Sequence, residues 1–384
     1  MKIDVCPVSS PERRPSSVNE PPRERFEPAA PALPERIPSL DGLRAISILL
    51  VLLAHFSIGL MAHLGNFGVR MFFLISGFLI TALLLKEYDR ANCISLRNFY
   101  VRRILRIFPA FYAYMAVVFV LASFGLIRLL PGDMLHALTY TMNYHVVRSW
   151  YVNHIWSLSV EEQFYLLWPA VLVFAGIKKA RRVAVVTILL VPVIRLIMYY
   201  PLHASATALD RNFQAVCDVL ATGCLLAAVY NRLGANATYQ RMQSWRAYLL
   251  IPLTFIVLSG LIFRLSEPLY YTLGQSIGNF GGILLLDYAV RAPHSLLGKI
   301  LNTRPLAAIG VLSYSIYLWQ EMFVGELSIR YPINLILIAA ASVASYYGIE
   351  KPFLKMRKWF RSRKESQVQM ARSPGAMAPQ RSEP

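Results

Sequence analysis

Two ionisable residues lie within one long apolar segment near the start of the chain. Arg44 and His55 both belong to the apolar run 43–61 and are eleven residues apart. A helix turns about 100° and rises about 1.5 Å per residue, so it places both on one face, roughly 16 Å apart along the axis. Ionisable groups within a membrane span usually face the protein interior and have a partner. Because histidine titrates near neutral pH, His55 is a candidate general base.

Both residues also have an interpretation without chemistry. Arg44 is near one end of its apolar run, where an arginine can extend its charged group to the membrane interface. His55 could instead form a hydrogen bond that packs two helices together. The sequence leaves both alternatives open.

A basic segment after the second apolar run is another candidate. Arg102, Arg103 and Arg106 lie within the stretch 99–109, and i, i+3 and i+4 neighbours share a face of a helix. Arginine binds phosphate through two parallel hydrogen bonds, so the segment is a candidate site for a phosphate-bearing substrate. Contact with anionic lipid headgroups is the alternative interpretation.

Two adjacent carboxylates lie at the start of the fourth apolar run. Glu161 and Glu162 belong to the stretch 153–169, which is also rich in aromatic residues. Neighbouring positions on a helix point roughly 100° apart, so we expect one carboxylate to face the helix bundle and the other to face water. An aromatic belt at the membrane interface with solvated acids is the alternative interpretation.

Membrane-spanning helices must position all of these residues. The chain has 384 residues, of which 56% are hydrophobic and only 16% are charged, whereas soluble domains carry charge on about a quarter of their residues. Apolar runs of roughly 18 residues or more are long enough to cross a bilayer. We therefore predict an all-α, polytopic integral membrane protein with about ten transmembrane helices. The predicted spans are 43–61, 69–86, 110–130, 162–178, 183–200, 212–230, 247–263, 276–291, 305–327 and 333–350.

The distribution of positive charge predicts the orientation of these spans. If both termini are cytoplasmic, 31 of the 39 Lys and Arg residues fall in cytoplasmic segments, as the positive-inside rule requires. Membrane topology therefore accounts for the net charge of +18, and we expect no nucleic-acid partner.

Composition divides the chain into three regions. Residues 1–38 are rich in proline and lack apolar periodicity, so we expect a disordered cytoplasmic tail. The membrane domain covers residues 39–352, and a basic, partly disordered cytoplasmic tail covers residues 353–384. The four cysteines show neither a CxxC pair nor a metal-ligand spacing, so we expect no bound metal.

Several motifs together resemble the acyltransferase 3 family of bacterial membrane O-acyltransferases. The opening stretch Ser39-Leu-Asp41-Gly42-Leu-Arg44 is followed by His55 at the family's spacing. Further matches are the stretch 68–81, the segment Arg102-Arg103-x-x-Arg106-Ile-x-Pro109 and the stretch 156–165. Looser matches lie at 213–227 and 310–319. The motifs occur in the order and at the spacing of the family, and together they extend over essentially the whole membrane domain.

The resemblance implies transfer of an acyl group, with acetyl expected, from acyl-CoA to a hydroxyl of a carbohydrate. The acceptor would be a cell-surface, exported or lipid-linked glycan, and the protein would lie in the inner (plasma) membrane. Acyl-CoA would be a co-substrate, with no cofactor permanently bound. The implied catalytic residues are His55, Glu161 and Asp41. The residues implied for acyl-donor binding are Arg44, Arg102, Arg103 and Arg106.

In this hypothesis the coenzyme A phosphates bind the arginines, and the pantetheine arm extends into the bundle toward His55. Glu161 orients either the acceptor or His55. The chain departs from the family pattern at Val216, where an arginine is frequent, and at Gln320, where a histidine is frequent. The sequence therefore offers no second catalytic histidine at position 320.

A multi-pass transporter or flippase without acyl transfer is the alternative function, because it would also place ionisable residues within spans. Many transporters contain internal repeats of the span pattern, and the sequence shows none. A receptor-like scaffold would need none of the ionisable groups. Hydrolysis of acyl-CoA by the purified protein would distinguish the enzyme from both.

Overall fold

A computed structural model describes residues 4–5, 37–56, 62–245, 247–325 and 331–356. These residues are almost entirely helical, which confirms the prediction of an all-α, polytopic membrane protein. Most of both predicted disordered tails lies outside the described residues, and so does the stretch 57–61 at the end of the first predicted span.

Within the described residues, the secondary structure consists of sixteen α-helices, a few turns of other geometry and one short strand pair. The first eight helices are α1 (Pro38–Phe56), α2 (Ala62–Ala91), α3 (Leu96–Ser123), α4 (Asp133–Leu138), α5 (Trp150–Asn153), α6 (Ile155–Ala175), α7 (Ile177–Tyr199) and α8 (Ala206–Arg211). The others are α9 (Phe213–Ala235), α10 (Ala237–Ser244), α11 (Leu250–Leu265), α12 (Glu267–Leu269), α13 (Gln275–Arg291), α14 (Leu296–Leu301), α15 (Arg304–Phe323) and α16 (Ile333–Ser345). A 3₁₀ turn covers Met142–Tyr144, and π-helical turns cover Tyr270–Gly274 and Tyr346–Glu350. Strand β1 (Asp4–Val5) pairs in parallel with β2 (Cys93–Ile94).

Each of the ten predicted spans coincides with a helix. Among the described residues, seven helical segments are long and apolar enough to cross a membrane. They are Ser39–Phe56, His63–Ala91, Leu96–Ser123, Trp150–Ala175, Ile177–Tyr199, Ala206–Ala235 and Ile333–Met356. The predicted spans at 247–263, 276–291 and 305–327 correspond to α11, α13 and α15, with 16, 17 and 20 residues. Of these, α15 is long enough but more polar, because it carries residues such as Gln320 and Glu321.

Close helix crossings hold the centre of the bundle together. Helix α1 packs against both α2 and α15, and α2 also packs against α9. A Cβ atom added to Gly310 of α15 would lie 1.8 Å from the carbonyl oxygen of Asp41, and one added to Gly77 of α2 would lie 2.1 Å from that of Leu220. Helices in membranes associate through tight van der Waals packing, so these glycines let the backbones touch.

Polar side chains lie inside the bundle, whereas large apolar side chains cover its outside. Phe174 and Leu189 are highly exposed, as expected for residues that face lipid. Arg195, by contrast, is fully buried and forms an ion pair with Asp218 at 3.0 Å. The same guanidinium donates a hydrogen bond to Gln275 at 2.7 Å. This network joins α7, α9 and α13 and surrounds a buried charge with acceptors, which reduces its desolvation cost.

Candidate active site

Helix α1 carries a polar site at each of its ends. It is continuous over Pro38–Phe56, so Arg44 and His55 lie on one helix, roughly 16 Å apart along its axis. Arg44 contacts Asp41, with 3.5 Å between NH1 and Oδ1, whereas His55 contacts residues of α15. We call the end of the bundle that carries Arg44 the inner end, and the end that carries His55 the outer end.

The imidazole of His55 is held by Gln320. Nδ1 of His55 lies 2.8 Å from Oε1 of Gln320. An amide oxygen can only accept, so a neutral ring that donates through Nδ1 to Gln320 has its lone pair on Nε2. The side chain of His55 is 22% exposed, whereas Gln320 is completely buried. The basic nitrogen is therefore accessible at the edge of a buried polar site.

A buried carboxylate lies next to this nitrogen. Oε1 of Glu321 is 3.8 Å from Nε2 of His55. The other oxygen, Oε2, accepts hydrogen bonds from the backbone N–H of His154 at 3.0 Å and from its Nδ1 at 2.9 Å. Glu321 and His154 are only 1% and 2% exposed. These donors compensate for the cost of burying the carboxylate, and they fix its position relative to His55.

Positive charge surrounds Glu321 at the outer end. Arg211 donates to Oδ1 of Asn153 at 2.6 Å, and Nδ2 of Asn153 lies 3.5 Å from Oε1 of Glu321. In the loop before α5, burial and the nearby Arg211 lower the pKa of Arg148 to about 10. Arg148 thus remains charged at neutral pH, and the local charge favours an ionised Glu321.

Glu161 does not contact His55. Its Oε1 accepts a hydrogen bond from Ser76 at 2.7 Å, and the hydroxyl of Tyr165 donates to Ser76 at 3.1 Å. Glu161 follows His154 by about two helical turns, which places it roughly 10 Å closer to the inner end. The carboxylate beside His55 is therefore Glu321, which the sequence analysis missed. Its signal was an acidic residue within an apolar helical run, which is uncommon in a span.

The three arginines of α3 differ in their contacts. Arg102 pairs with Glu87 of α2 at 2.8 Å. Arg103 lies over the ring of Tyr165, 4.5 Å from its centroid. Arg106 is exposed and has no hydrogen bond or ion pair to any residue that the structure describes. Positions 102 and 103 point about 100° apart on the helix, which accounts for the separate partners of Arg102 and Arg103.

The three candidates for catalysis lie in three separate places. Asp41 contacts Arg44 at the inner end, about 21 Å from His55 along the axis of α1. Glu161 lies between the two ends, and only His55 belongs to the outer site. Helix α15 also reaches both ends, because Tyr314 donates a hydrogen bond to the carbonyl oxygen of Ile107 at 2.9 Å, next to Arg106.

The fold and these contacts define a class of protein. It is a multi-pass helical membrane protein with a histidine–carboxylate pair at one end and accessible arginines at the other. A histidine with a free ring nitrogen can remove a proton from a hydroxyl, and exposed arginines can bind phosphate. Within the described part of the chain, no group of three or more His, Cys, Asp or Glu residues could hold a metal ion.

Comparison with known proteins identifies the family. Residues 37–349 match the family model described as an acyltransferase domain, and the chain belongs to this acyltransferase 3 family. The match covers all but the last three residues of the membrane domain and confirms the family that the sequence motifs predicted.

Curated relatives of the chain are named as O-acetyltransferases. The O-acetyltransferase OatA of Staphylococcus aureus is 30% identical over 363 residues, which cover 84% of this chain and 58% of that protein. The putative peptidoglycan O-acetyltransferase YrhL of Bacillus subtilis is 30% identical over 82% of this chain and 54% of its own length. The peptidoglycan O-acetyltransferase OatA of Listeria monocytogenes is 32% identical over 74% of this chain and 49% of its own length.

The chain thus spans about half of the length of these curated relatives. No solved structure matches the chain significantly.

Proposed function

We propose that the protein is an O-acyltransferase of the inner membrane that moves an acetyl group from acetyl-CoA to a hydroxyl of a cell-surface glycan. One observation carries this proposal: the accessible nitrogen of His55 lies beside a buried carboxylate, on the same helix as Arg44. Family membership and the names of the relatives support it. Because two relatives are named for peptidoglycan, that polymer is the first acceptor to test.

The acyl donor binds at the inner end. Arg106 is exposed and Arg103 is partly exposed, so their guanidinium groups are available to the phosphates of coenzyme A. Arg44 is 18% exposed and held by Asp41. From there a pantetheine arm of comparable length bridges the roughly 16 Å to His55 and brings the thioester to the outer end. In this arrangement Asp41 orients Arg44, and Glu161 remains a candidate for orienting the acceptor.

The reaction at the outer end is general base catalysis. Nε2 of His55 removes the proton of the acceptor hydroxyl while its oxygen attacks the thioester carbonyl. A C–O bond forms, the C–S bond breaks and the thiolate of coenzyme A leaves. The proton then passes from His55 to the thiolate. Gln320 keeps the other ring nitrogen protonated, so the lone pair always points toward the acceptor.

The direct test is a transfer assay with purified protein in lipid nanodiscs. Acetyl-labelled acetyl-CoA is incubated with a peptidoglycan-derived GlcNAc–MurNAc disaccharide, and both free thiol and labelled disaccharide are measured. We expect equal amounts of the two products. Folded protein that releases no thiol would contradict the proposal, and uptake of intact substrate into sealed vesicles would instead indicate a transporter. Mass analysis of cell-surface glycans with and without the gene identifies the natural acceptor.

A further inference from the structure

We propose that Glu321 is a second catalytic residue, which holds the acceptor hydroxyl together with His55. This inference rests on the proposed acyl transfer to a hydroxyl. His154, which touches Glu321 but not the acceptor, is a positioning residue for the same reaction.

The gap between His55 and Glu321 suits a hydroxyl group. Nε2 of His55 accepts hydrogen bonds while Nδ1 donates to Gln320, and an ionised carboxylate can only accept. Two acceptors 3.8 Å apart cannot bond to one another. A hydroxyl oxygen about 2.8 Å from each of them lies beside the pair, and its single hydrogen can point to either acceptor or be shared by both. The pair thus recognises the O–H group of the acceptor directly.

Only one oxygen of Glu321 is available for this role. Oε2 is engaged by two donors of His154, whereas Oε1 faces His55 and has a single long contact to Asn153, at 3.5 Å. This division leaves Oε1 free for the substrate while Oε2 anchors the side chain.

His154 keeps the carboxylate ionised and in place. Its Nε2 is buried and has no hydrogen-bond partner among the described residues. A ring that donates through Nδ1 to Glu321 and carries a lone pair at Nε2 leaves no buried N–H group without an acceptor and adds no second charge to the site.

That negative charge acts during proton transfer. The hydroxyl gives its proton to Nε2 of His55, the new C–O bond forms and the C–S bond breaks. Glu321 stays ionised and stabilises the imidazolium 3.8 Å away until the proton reaches the departing thiolate. Each electron pair and proton is thus accounted for by the thioester, the acceptor and His55.

Glu321→Gln tests the proposal. Glutamine still accepts from His154 but directs its amide N–H₂ toward Nε2 of His55, where it occupies the lone pair. We expect kcat to fall about 10- to 100-fold, which corresponds to one lost hydrogen bond to a charged group. We also expect weaker binding of the GlcNAc–MurNAc disaccharide, measured by calorimetry. Glu321→Asp keeps the charge but shortens the side chain, so its kcat should lie between those of the wild type and Glu321→Gln.

Asp287→Asn is the matched control. Asp287 is a carboxylate of α13 that is 1% exposed and paired with Arg291. Its replacement also removes a buried charge, with a comparable cost to folding. We expect kcat per folded molecule and the affinity for the disaccharide to stay at the wild-type values.

Two variants separate positioning by His154 from simple packing. His154→Asn retains an N–H group near the position of Nδ1, whereas His154→Phe retains a ring but no donor. We expect His154→Phe to lower kcat about 10-fold or more at an unchanged KM for acetyl-CoA, and His154→Asn to restore most of it. A ring that only filled space would give the opposite order.

Failure of this inference differs from failure of the proposed function. If Glu321→Gln has the kcat and disaccharide affinity of the wild type, Glu321 does not hold the acceptor, and the function stands. If the wild type binds the disaccharide through Glu321 but transfers no acetyl group, the proposed function is wrong, and the binding site stands.

Discussion

The residues that surround His55 come from distant parts of the chain. Gln320 is separated from it by 265 positions, and His154 reaches it only through Glu321. Gln320 stands where the family often has a histidine, and its amide oxygen lies 2.8 Å from Nδ1 of His55 as a hydrogen-bond acceptor. At the residue scale, one histidine therefore acts as the base, and its neighbours decide which nitrogen is free.

The arginines of α3 should differ in their effects on the acyl donor. Arg106→Ala should raise the KM for acetyl-CoA about 10- to 100-fold, because one hydrogen-bonded charge on a phosphate is lost. Arg102→Ala should raise it less, because Glu87 already engages that guanidinium. Arg103→Ala should raise the donor KM more than the acceptor KM. Arg103→Lys should rescue only part of the loss, since lysine lacks the planar fork.

Steady-state kinetics with both substrates varied provides this measurement. A change in only the acceptor KM would contradict the assignment of the inner end to the acyl donor. Equal effects of Arg102→Ala and Arg106→Ala would show that the ion pair with Glu87 opens when the donor binds.

At the scale of elements, the crossing of α1 and α15 positions the site. The backbones touch at Gly310, where an added Cβ atom would lie 1.8 Å from the carbonyl oxygen of Asp41. The same two helices carry His55, Gln320 and Glu321 at their other ends. A change in the crossing should therefore alter the distance from His55 to its partners.

Gly310→Ala tests this coupling. The methyl group forces the helices apart, and overpacking of this kind costs about 1–3 kcal/mol. We expect a lower Tm in a thermal-shift assay and a lower kcat. Gly348→Ala is the matched control, because nothing lies within 4 Å of its added Cβ atom. A Gly310→Ala protein with wild-type Tm and kcat would contradict the role of the crossing.

The sequence predicts the individual helices better than it predicts which helices contact one another. Apolar runs located a helix for every predicted span, and periodicity correctly placed Arg44 and His55 on one helix. Periodicity describes one helix at a time, however, and does not show which helices touch. The pairing of His55 with Glu321 was missed for this reason, and so was the ion pair of Arg102 with Glu87 of the neighbouring helix.

At the scale of the whole molecule, the proposed function requires the arginines to be on the side where acyl-CoA is made. The positive-inside rule predicts that both termini and the inner end face the cytoplasm. In the structure, Arg44 and Arg106 lie at the opposite end of the bundle from His55. The polar sites are thus joined by α1 across the membrane.

Terminal reporter fusions test the orientation. We expect green fluorescent protein at either terminus to fluoresce, because this reporter works in the cytoplasm. We expect alkaline phosphatase at either terminus to be inactive, because it works only outside the cytoplasm. Active phosphatase at both termini would reverse the bundle and remove the arginines from the acyl-CoA pool.

The central claim is that His55 is the base of the transfer reaction, and His55→Gln tests it most directly. Glutamine retains hydrogen bonding and much of the volume but accepts no proton near neutral pH. The measurement is kcat for acetyl transfer by variant and wild type, normalised to folded protein in the membrane. We predict a loss of at least about 10²–10⁴-fold, the usual contribution of a general base. A His55→Gln protein that transfers acetyl at the wild-type rate would contradict this mechanism.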